Sequence, residues 1–192
     1  MEKQPEKIDK KRIEKAVRMI IEAIGDNPDR DGLKETPRRI AQMYEEIFAG
    51  ITRDPKRELK TYQAKNEDEM IIIKDIPFYS VCEHHLLPFF GKAHIVYIPK
   101  NNCITGFSSL VRVLDVMAKR PIVQERLTHE IADFFMQHLK PLGVLIVIEA
   151  EHLCLSMIGV KKPGTLTVTS AIRGAMKSAP TRAEAFSLIK GK

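Results

Sequence analysis

The sequence contains no long apolar run and few cysteines, and each shortage excludes a class of protein. No stretch of its 192 residues approaches the ~20 apolar residues that a membrane-spanning helix needs. The first residues, MEKQPEKIDKKRIEK, are charged and lack the apolar core of a signal peptide. The cysteines are odd in number, namely Cys82, Cys103 and Cys154. We therefore expect a cytoplasmic protein with reduced thiols, no membrane segment and no disulfide framework.

The chain carries a net charge of +6, which raises the question of a polyanionic partner. The N-terminal lysines alternate with acidic residues, as on a solvated helix face. No nucleic-acid recognition motif accompanies the charge. We therefore expect no nucleic-acid partner, and a small anionic substrate fits the basic excess better.

Residues 1–68 have the pattern of two helices followed by a polar linker. The first predicted helix runs from an Asp9 cap to Gly25, and its buried stripe is predicted at helical spacing, at Ile13, Val17, Ile20 and Ile24. The second begins with Thr36 as N-cap before Pro37 and ends at Gly50. We expect an N-terminal helical region over 1–68 and a separate domain over 69–192.

The region 69–192 mixes strand and helix patterns. The segments EMIIIKDI, PFYSV and KAHIVYIPK predict three strands, and GVLIVIEAEHLCL with TLTVTSAIRG predicts a further pair. Two helices are predicted between these groups, and Thr181 with Glu184 predicts a capping box for a last helix. This order favours the α+β class, with an antiparallel sheet and helices on one face.

Two pairs of Cys and His residues indicate a metal site. Cys82 and His85 lie three apart in VCEHHLLPFF, a common spacing for Zn²⁺ ligands. His152 and Cys154 lie two apart in a predicted strand, so their side chains are expected on one face. Together with His84 they make five candidate donors. A catalytic zinc uses three and leaves one position open, whereas a closed structural site uses four, and the pattern leaves both alternatives open.

Gln124 and Glu125 begin the helix predicted after Pro121, in VQERLTHEIA. An acidic residue in a first turn is favoured by the helix macrodipole, which explains Glu125 without any function. Alternatively, a carboxylate there accepts two hydrogen bonds from an N–H/NH₂ edge such as that of guanine.

Four segments together resemble one family. They are PFYSVCEHHLLPFFGKAHIVYIP, GFSSLVRVLD, RPIVQERLTHEIA and EAEHLCLSMIGV, and they closely resemble GTP cyclohydrolase I, a zinc enzyme of pterin and folate synthesis. The similarity begins near Ile13 and extends through TLTVTSAIRGAMKS. It implies a tunnelling fold (T-fold) preceded by a helical pair. It also implies a ring-shaped homodecamer, with active sites between subunits.

The resemblance assigns roles to the five donors. Cys82, His85 and Cys154 match zinc ligands, with a water in the fourth position. Zinc lowers the pKa of bound water to about 7, and in the family the resulting hydroxide attacks C8 of guanine. His152 and His84 match the proton-transferring histidines. The implied products are formate and 7,8-dihydroneopterin triphosphate.

Further positions match substrate contacts of the family. Glu125, with Gln124 beside it, matches the guanine-reading position, and Ser108 matches a serine near the ribose. The remaining matches are Arg39 and Arg112 to phosphate-binding arginines, and Glu83 to a residue that reaches a neighbouring subunit's site.

The chain departs from the family pattern at the phosphate end. Ser109 stands where the family usually has Lys, and Ile158 where it usually has Arg. Loss of two charge-assisted hydrogen bonds would lower affinity by about 10²–10⁴ without compensation. Two alternatives therefore stand beside GTP hydrolysis: a paralogue acting on a guanine compound with fewer phosphates, and a non-catalytic zinc-binding module on the same fold.

Overall fold

The protein is described here from a computed structural model, which places residues 7–191. The chain forms two compact units that divide between Arg53 and Asp54. The N-terminal unit contains helices α1 (Lys10–Ala23) and α2 (Thr36–Ile47), followed by a 3₁₀ turn at Ala49–Ile51. Two helices are thus present where the sequence predicts them.

The details of these helices differ from the prediction at three positions. Asp9 caps α1 as expected, because its carboxylate accepts the Arg12 N–H. Val17 is buried as predicted, but Ile20 and Ile24 are 59% and 74% exposed. The C-terminal part of the predicted buried stripe therefore lies on the exposed side of α1. Thr36 is the first residue of α2 and makes no capping hydrogen bond, so its prediction as N-cap is wrong.

The second unit is built on a four-stranded antiparallel sheet in the order β2-β3-β5-β6, with a separate two-stranded sheet of β1 and β4. Its strands are β1 (Thr61–Gln63), β2 (Ile71–Val81), β3 (Pro88–Ile98), β4 (Cys103–Thr105), β5 (Gly143–His152) and β6 (Leu166–Gly174). Its helices are a 3₁₀ turn at Pro55–Glu58, α3 (Phe107–Ala118), α4 (Gln124–His138), α5 (Leu153–Ser156), a 3₁₀ turn at Ala175–Lys177, and α6 (Ala179–Lys190). The predicted α+β class with an antiparallel sheet is confirmed.

The first two predicted strands of this unit form one continuous strand, β2. A bulge between Ile73 and Ile76 interrupts its pairing with β3, and Asp75 in the bulge has φ +58°. Pro77 is tolerated because β2 is an edge strand next to a bulge. The two predicted strands divide between Ile76 and Pro77, directly after this bulge, while Lys74 and Asp75 lie inside the first of them.

Alternate side chains of each strand point to opposite faces of the sheet, and a separate core covers each face. Ile95, Ile146 and Ile148 belong to the main core, which also contains the apolar faces of α3 and α4. Val96, Leu145 and Val147 belong to a smaller core with Ala185 of α6. The two long helices thus lie on one face, and the C-terminal helix covers part of the other.

Two ends of elements also differ from the sequence prediction. β5 ends at His152, and Cys154 lies in the short helix α5 rather than on the strand. Helix α6 begins at Ala179 with Ser178 at the N-cap position and no side-chain capping hydrogen bond, so Thr181 lies inside the helix and the predicted capping box is wrong. None of the helices within residues 7–191 is long and apolar enough to cross a membrane.

Candidate metal centre and active site

A tight turn between β2 and β3 carries the first half of the predicted metal site. The Cys82 N–H donates to Leu87 O, and the Leu86 N–H donates to Cys82 O, both at 2.9 Å. Leu86 has φ +53°, which is uncommon for a residue with a branched side chain. The Ile122 N–H donates to Val81 O at 3.0 Å and joins this turn to the segment before α4. The backbone therefore fixes the positions of Cys82 to His85.

Three of the five candidate donors come together. One ligand atom from each of Cys82, His85 and Cys154 lies within 4.8 Å of the others. Cys82 is buried, Cys154 is partly buried and His85 is exposed. Two thiols and one imidazole suit a borderline-soft divalent cation, so this cluster could hold a metal ion.

Cys154 reaches the cluster by a different route from the predicted one. Strand alternation would have placed it on the same face as His152. Instead, the chain turns into α5 directly after His152, and this turn brings the thiol to Cys82. The two segments thus come together, although not through the strand alternation that the sequence suggested.

A cavity of about 200 Å³ opens beside the cluster. Its wall includes two of the three cluster residues and three predicted functional side chains, namely Cys82, Cys154, His84, His152 and Glu125. His84 and His85 are adjacent in sequence, but their rings are 6.3 Å apart and nearly perpendicular. One therefore contributes to the metal cluster and the other lines the cavity.

His152 is held from two sides. Its ring stacks on Phe89, with 4.6 Å between ring centroids and 2° between planes. Its Nε2 lies 2.8 Å from Oε1 of Gln124. Among residues 7–191, the clustered donors are three of the five candidates, and His152 is not one of them.

The pKa values of two site residues shift because of burial. Burial lowers the pKa of His152, and the negative charge of Glu125 partly opposes that effect. Burial also raises the pKa of the Cys154 thiol, and the nearby Cys82 raises it further. The site therefore favours a neutral imidazole and a protonated thiol until a cation stabilises the thiolate.

Gln124 and Glu125 face different surroundings although they are adjacent. Glu125 is exposed and lines the cavity, where its carboxylate is available to a ligand. Gln124 is fully buried, and both ends of its amide contact protein groups. The two residues thus occupy opposite sides of the beginning of α4.

Glu83 is engaged within its own chain. Its two carboxylate oxygens accept hydrogen bonds from Arg126 at 3.0 and 3.2 Å. This bidentate pair joins the turn after β2 to the first turn of α4. In the sequence, Glu83 directly follows Cys82, and Arg126 directly follows Glu125.

The residues predicted for the phosphate end lie in several places. Ser108 and Arg112 are exposed on α3, whereas Ser109 is buried on the same helix. Arg39 is exposed on α2 in the N-terminal unit. Ile158 is exposed in the loop after α5. Arg173 on β6 donates to Asp133 at 2.7 Å.

The sequence interpretation missed the groups that hold His152 and Gln124. They are Phe89 in β3 and two threonines, Thr128 in α4 and Thr169 in β6. Thr167 also lines the cavity, and it lies two residues from Thr169 on the same face of β6. The sequence did contain one indication of these contacts, namely threonines at alternate positions of β6, whose side chains lie on the same face of the strand.

These observations define a class: an α+β protein with a three-donor metal cluster beside a cavity lined by histidine and carboxylate. The sequence profile of the GTP cyclohydrolase I family matches residues 13–190. GTP cyclohydrolase 1 of Pelotomaculum thermopropionicum is 60% identical over 185 residues, which cover 96% of this chain and 98% of that protein. The enzyme of the same name from Clostridioides difficile is 58% identical, covering 97% and 99%. The chain belongs to the GTP cyclohydrolase I family.

Proposed function

We propose that the protein catalyses the zinc-dependent hydrolytic opening of the guanine imidazole ring of GTP, releasing formate and forming 7,8-dihydroneopterin triphosphate. The observation that carries the proposal is the cluster of Cys82, His85 and Cys154 at the wall of the cavity. Relatives about 60% identical carry the name of this enzyme. Ser109, which stands where the family usually has Lys, is buried within α3. No separate observation favours a paralogue that acts on a guanine compound with fewer phosphates.

The three clustered residues would hold the zinc ion. Two thiolates and an imidazole are ligands that zinc prefers, and three protein ligands are typical of catalytic zinc. When bound there, zinc supplies an activated water for attack on the guanine ring.

The residues around the cavity would bind the base and move protons. Glu125 is exposed to the cavity and would accept hydrogen bonds from the N–H edge of guanine. His152 would donate a proton to a ring nitrogen, and His84 would carry protons during ring opening. Imidazole suits both tasks at neutral pH.

The triphosphate would lie outside the cavity, because about 200 Å³ is less than a typical ligand pocket of about 300–1,000 Å³. Exposed cations of the second unit could contact it, namely Arg112, Lys161 and Lys162, and Ser108 would lie near the ribose. A small cavity in one chain also agrees with active sites that are completed between subunits of a homodecamer. We further propose a cytoplasmic location.

The test is an assay of formate and of fluorescent pterin, with metal content measured on the same sample. GTP, GDP, GMP and guanosine are compared at equal concentration on zinc-loaded protein. We expect formate and pterin from GTP, and a preference for GTP over GMP of at least about 10²-fold, as lost phosphate contacts would give. No formate from any of the four would contradict the proposal, and equal turnover of GMP would favour the paralogue.

A further inference from the structure

Gln124 is the first residue of α4, and its side chain points into the protein. Its Nε2 lies 3.0 Å from each of three acceptors, namely Ile148 O, Thr167 O and Thr169 Oγ1. Its Oε1 lies 2.8 Å from Nε2 of His152. A glutamine amide has one donating and one accepting end, and the orientation must be assigned from its partners.

Two of the partners settle that orientation. The carbonyl oxygens of Ile148 and Thr167 can only accept, so the NH₂ group must face them. The amide oxygen then faces His152. The reversed amide would place an oxygen against two carbonyl oxygens and lose both hydrogen bonds.

The threonine pair agrees with the same direction of donation. Thr128 Oγ1 donates its single hydrogen to Gln124 O at 2.7 Å. In the 2.6 Å contact between Thr128 and Thr169, the donor must then be Thr169. The lone pairs of Thr169 Oγ1 remain free to accept, so the two hydrogens of the Gln124 NH₂ group are shared among three acceptors. The buried network therefore has one consistent direction.

An amide oxygen only accepts, so Nε2 of His152 must donate to it. The neutral ring consequently carries its hydrogen on Nε2 and its lone pair on Nδ1. The Phe89 stack holds the ring plane, with 2° between the two planes. Nδ1 is the ring nitrogen left to exchange a proton, and His152 lines the cavity.

We propose that Gln124 is a positioning residue that fixes His152 in the Nε2–H tautomer, so that His152 exchanges its proton with the substrate through Nδ1. To act as a donor, Nδ1 first takes up a proton from water and then passes it to a ring nitrogen of the substrate, which returns the ring to its neutral form with the hydrogen on Nε2. The use of this proton rests on the proposed function, whereas the tautomer does not.

The tautomer is measured directly by ¹⁵N NMR of zinc-loaded protein carrying ring-¹⁵N histidine, without nucleotide and at about pH 8, above the usual histidine pKa. Solid-state measurement on sedimented protein avoids any limit of particle size, and a His152→Gln sample identifies the His152 signals. We expect Nε2 to carry hydrogen and Nδ1 to carry the lone pair. The opposite assignment in the unmodified protein would overturn the proposal.

A variant separates positioning from packing. Gln124→Met is similar in volume and has no amide, so we expect a mixture of His152 tautomers. Thr128→Val is the matched control, since it removes a buried hydroxyl nearby and leaves the Gln124 contact with His152 in place. We expect the control to keep the Nε2–H form. An unchanged tautomer in Gln124→Met would also overturn the proposal.

Kinetics provide the second readout. General acid–base catalysis contributes about 10²–10⁴-fold, and loss of both the fixed tautomer and the hydrogen bond that orients the ring should lower kcat by about 10–10²-fold while KM changes less than about threefold. A change confined to KM would instead assign Gln124 to substrate binding. If the unmodified protein released no formate, the proposed function would fail, and the NMR result would still decide the tautomer.

Discussion

Two histidines on opposite faces of the sheet show how differently a buried imidazole can be surrounded. His94 lies in the middle of β3, on the face that α6 partly covers, and is 4% exposed. His152 ends β5 on the face of α3 and α4, and lines a cavity. Burial lowers the pKa of both rings, so the direction of the pKa shift does not distinguish them.

The partners of the two rings do distinguish them. Nδ1 of His94 accepts the Asp75 N–H at 3.2 Å, and its Nε2 is the one buried side-chain nitrogen or oxygen among residues 7–191 without a hydrogen bond. Nε2 of His152 belongs to a directed network through Gln124. A ring at a strand end beside a cavity is suited to proton transfer, whereas the ring of His94, buried in mid-strand with one nitrogen unpartnered, is expected to affect stability.

Removal of a metal donor should have the largest effect on the His152 side. We expect Cys154→Ala to lose its zinc and to lower turnover by more than about 10³-fold, because the activated water is lost. The measurement is zinc content together with formate release. Cys103→Ala is the control, since this cysteine lies on β4 outside the cluster and should keep both values. Full activity without zinc would contradict every role assigned to the cluster.

Glu125→Gln should have the next largest effect. The variant keeps the shape of the side chain but loses the charged acceptor that would bind the guanine edge. A hydrogen bond to a charged group contributes about 1.5–3 kcal/mol, so kcat/KM for GTP should fall by about 10–10²-fold. Asp133→Asn on the exposed side of α4 should leave kcat/KM unchanged. Equal losses in both variants would indicate a general effect on the helix.

The sequence predicted the metal donors more reliably than their geometry. Cys82, His85 and Cys154 could be identified because Cys and His are scarce and their spacing matches the family pattern. The turn into α5 could not, because GVLIVIEAEHLCL reads as one continuous strand. Tertiary contact between Cys154 and the turn after β2 decides where that strand ends.

The hydrogen-bond network around His152 could not be predicted from the sequence, because it too depends on tertiary contacts. Gln124 looks like a first-turn surface residue, and only packing of α4 against β5 and β6 shows that it is buried. Fold class follows more easily from the alternating patterns, although the single strand β2, with its bulge at Asp75, was predicted as two strands that divide before Pro77. Long-range contacts, which no local pattern encodes, account for both differences.

His94 should make the free energy of unfolding depend on pH. Burial lowers its folded pKa below the usual value of about 6.5, so between these two values the unfolded chain binds more protons. The free energy of unfolding should therefore fall as the pH drops below about 6.5. His94→Leu should flatten this fall in urea titrations at pH 5, 6, 7 and 8 and fixed protein concentration. The exposed His129→Leu should keep the original slope.

The smallest effect is expected at the pair of Glu83 and Arg126, which joins the turn after β2 to α4. The pair is bidentate, but the Arg126 side chain is 55% exposed, and such surface pairs contribute about 0.2–1 kcal/mol. The backbone hydrogen bonds of Cys82 hold the same turn independently. Arg126→Gln should therefore lower the free energy of unfolding by less than about 1 kcal/mol, as should Arg173→Gln at its surface pair with Asp133. A turnover loss above about tenfold in Arg126→Gln alone would show that Glu83 must be oriented for the reaction.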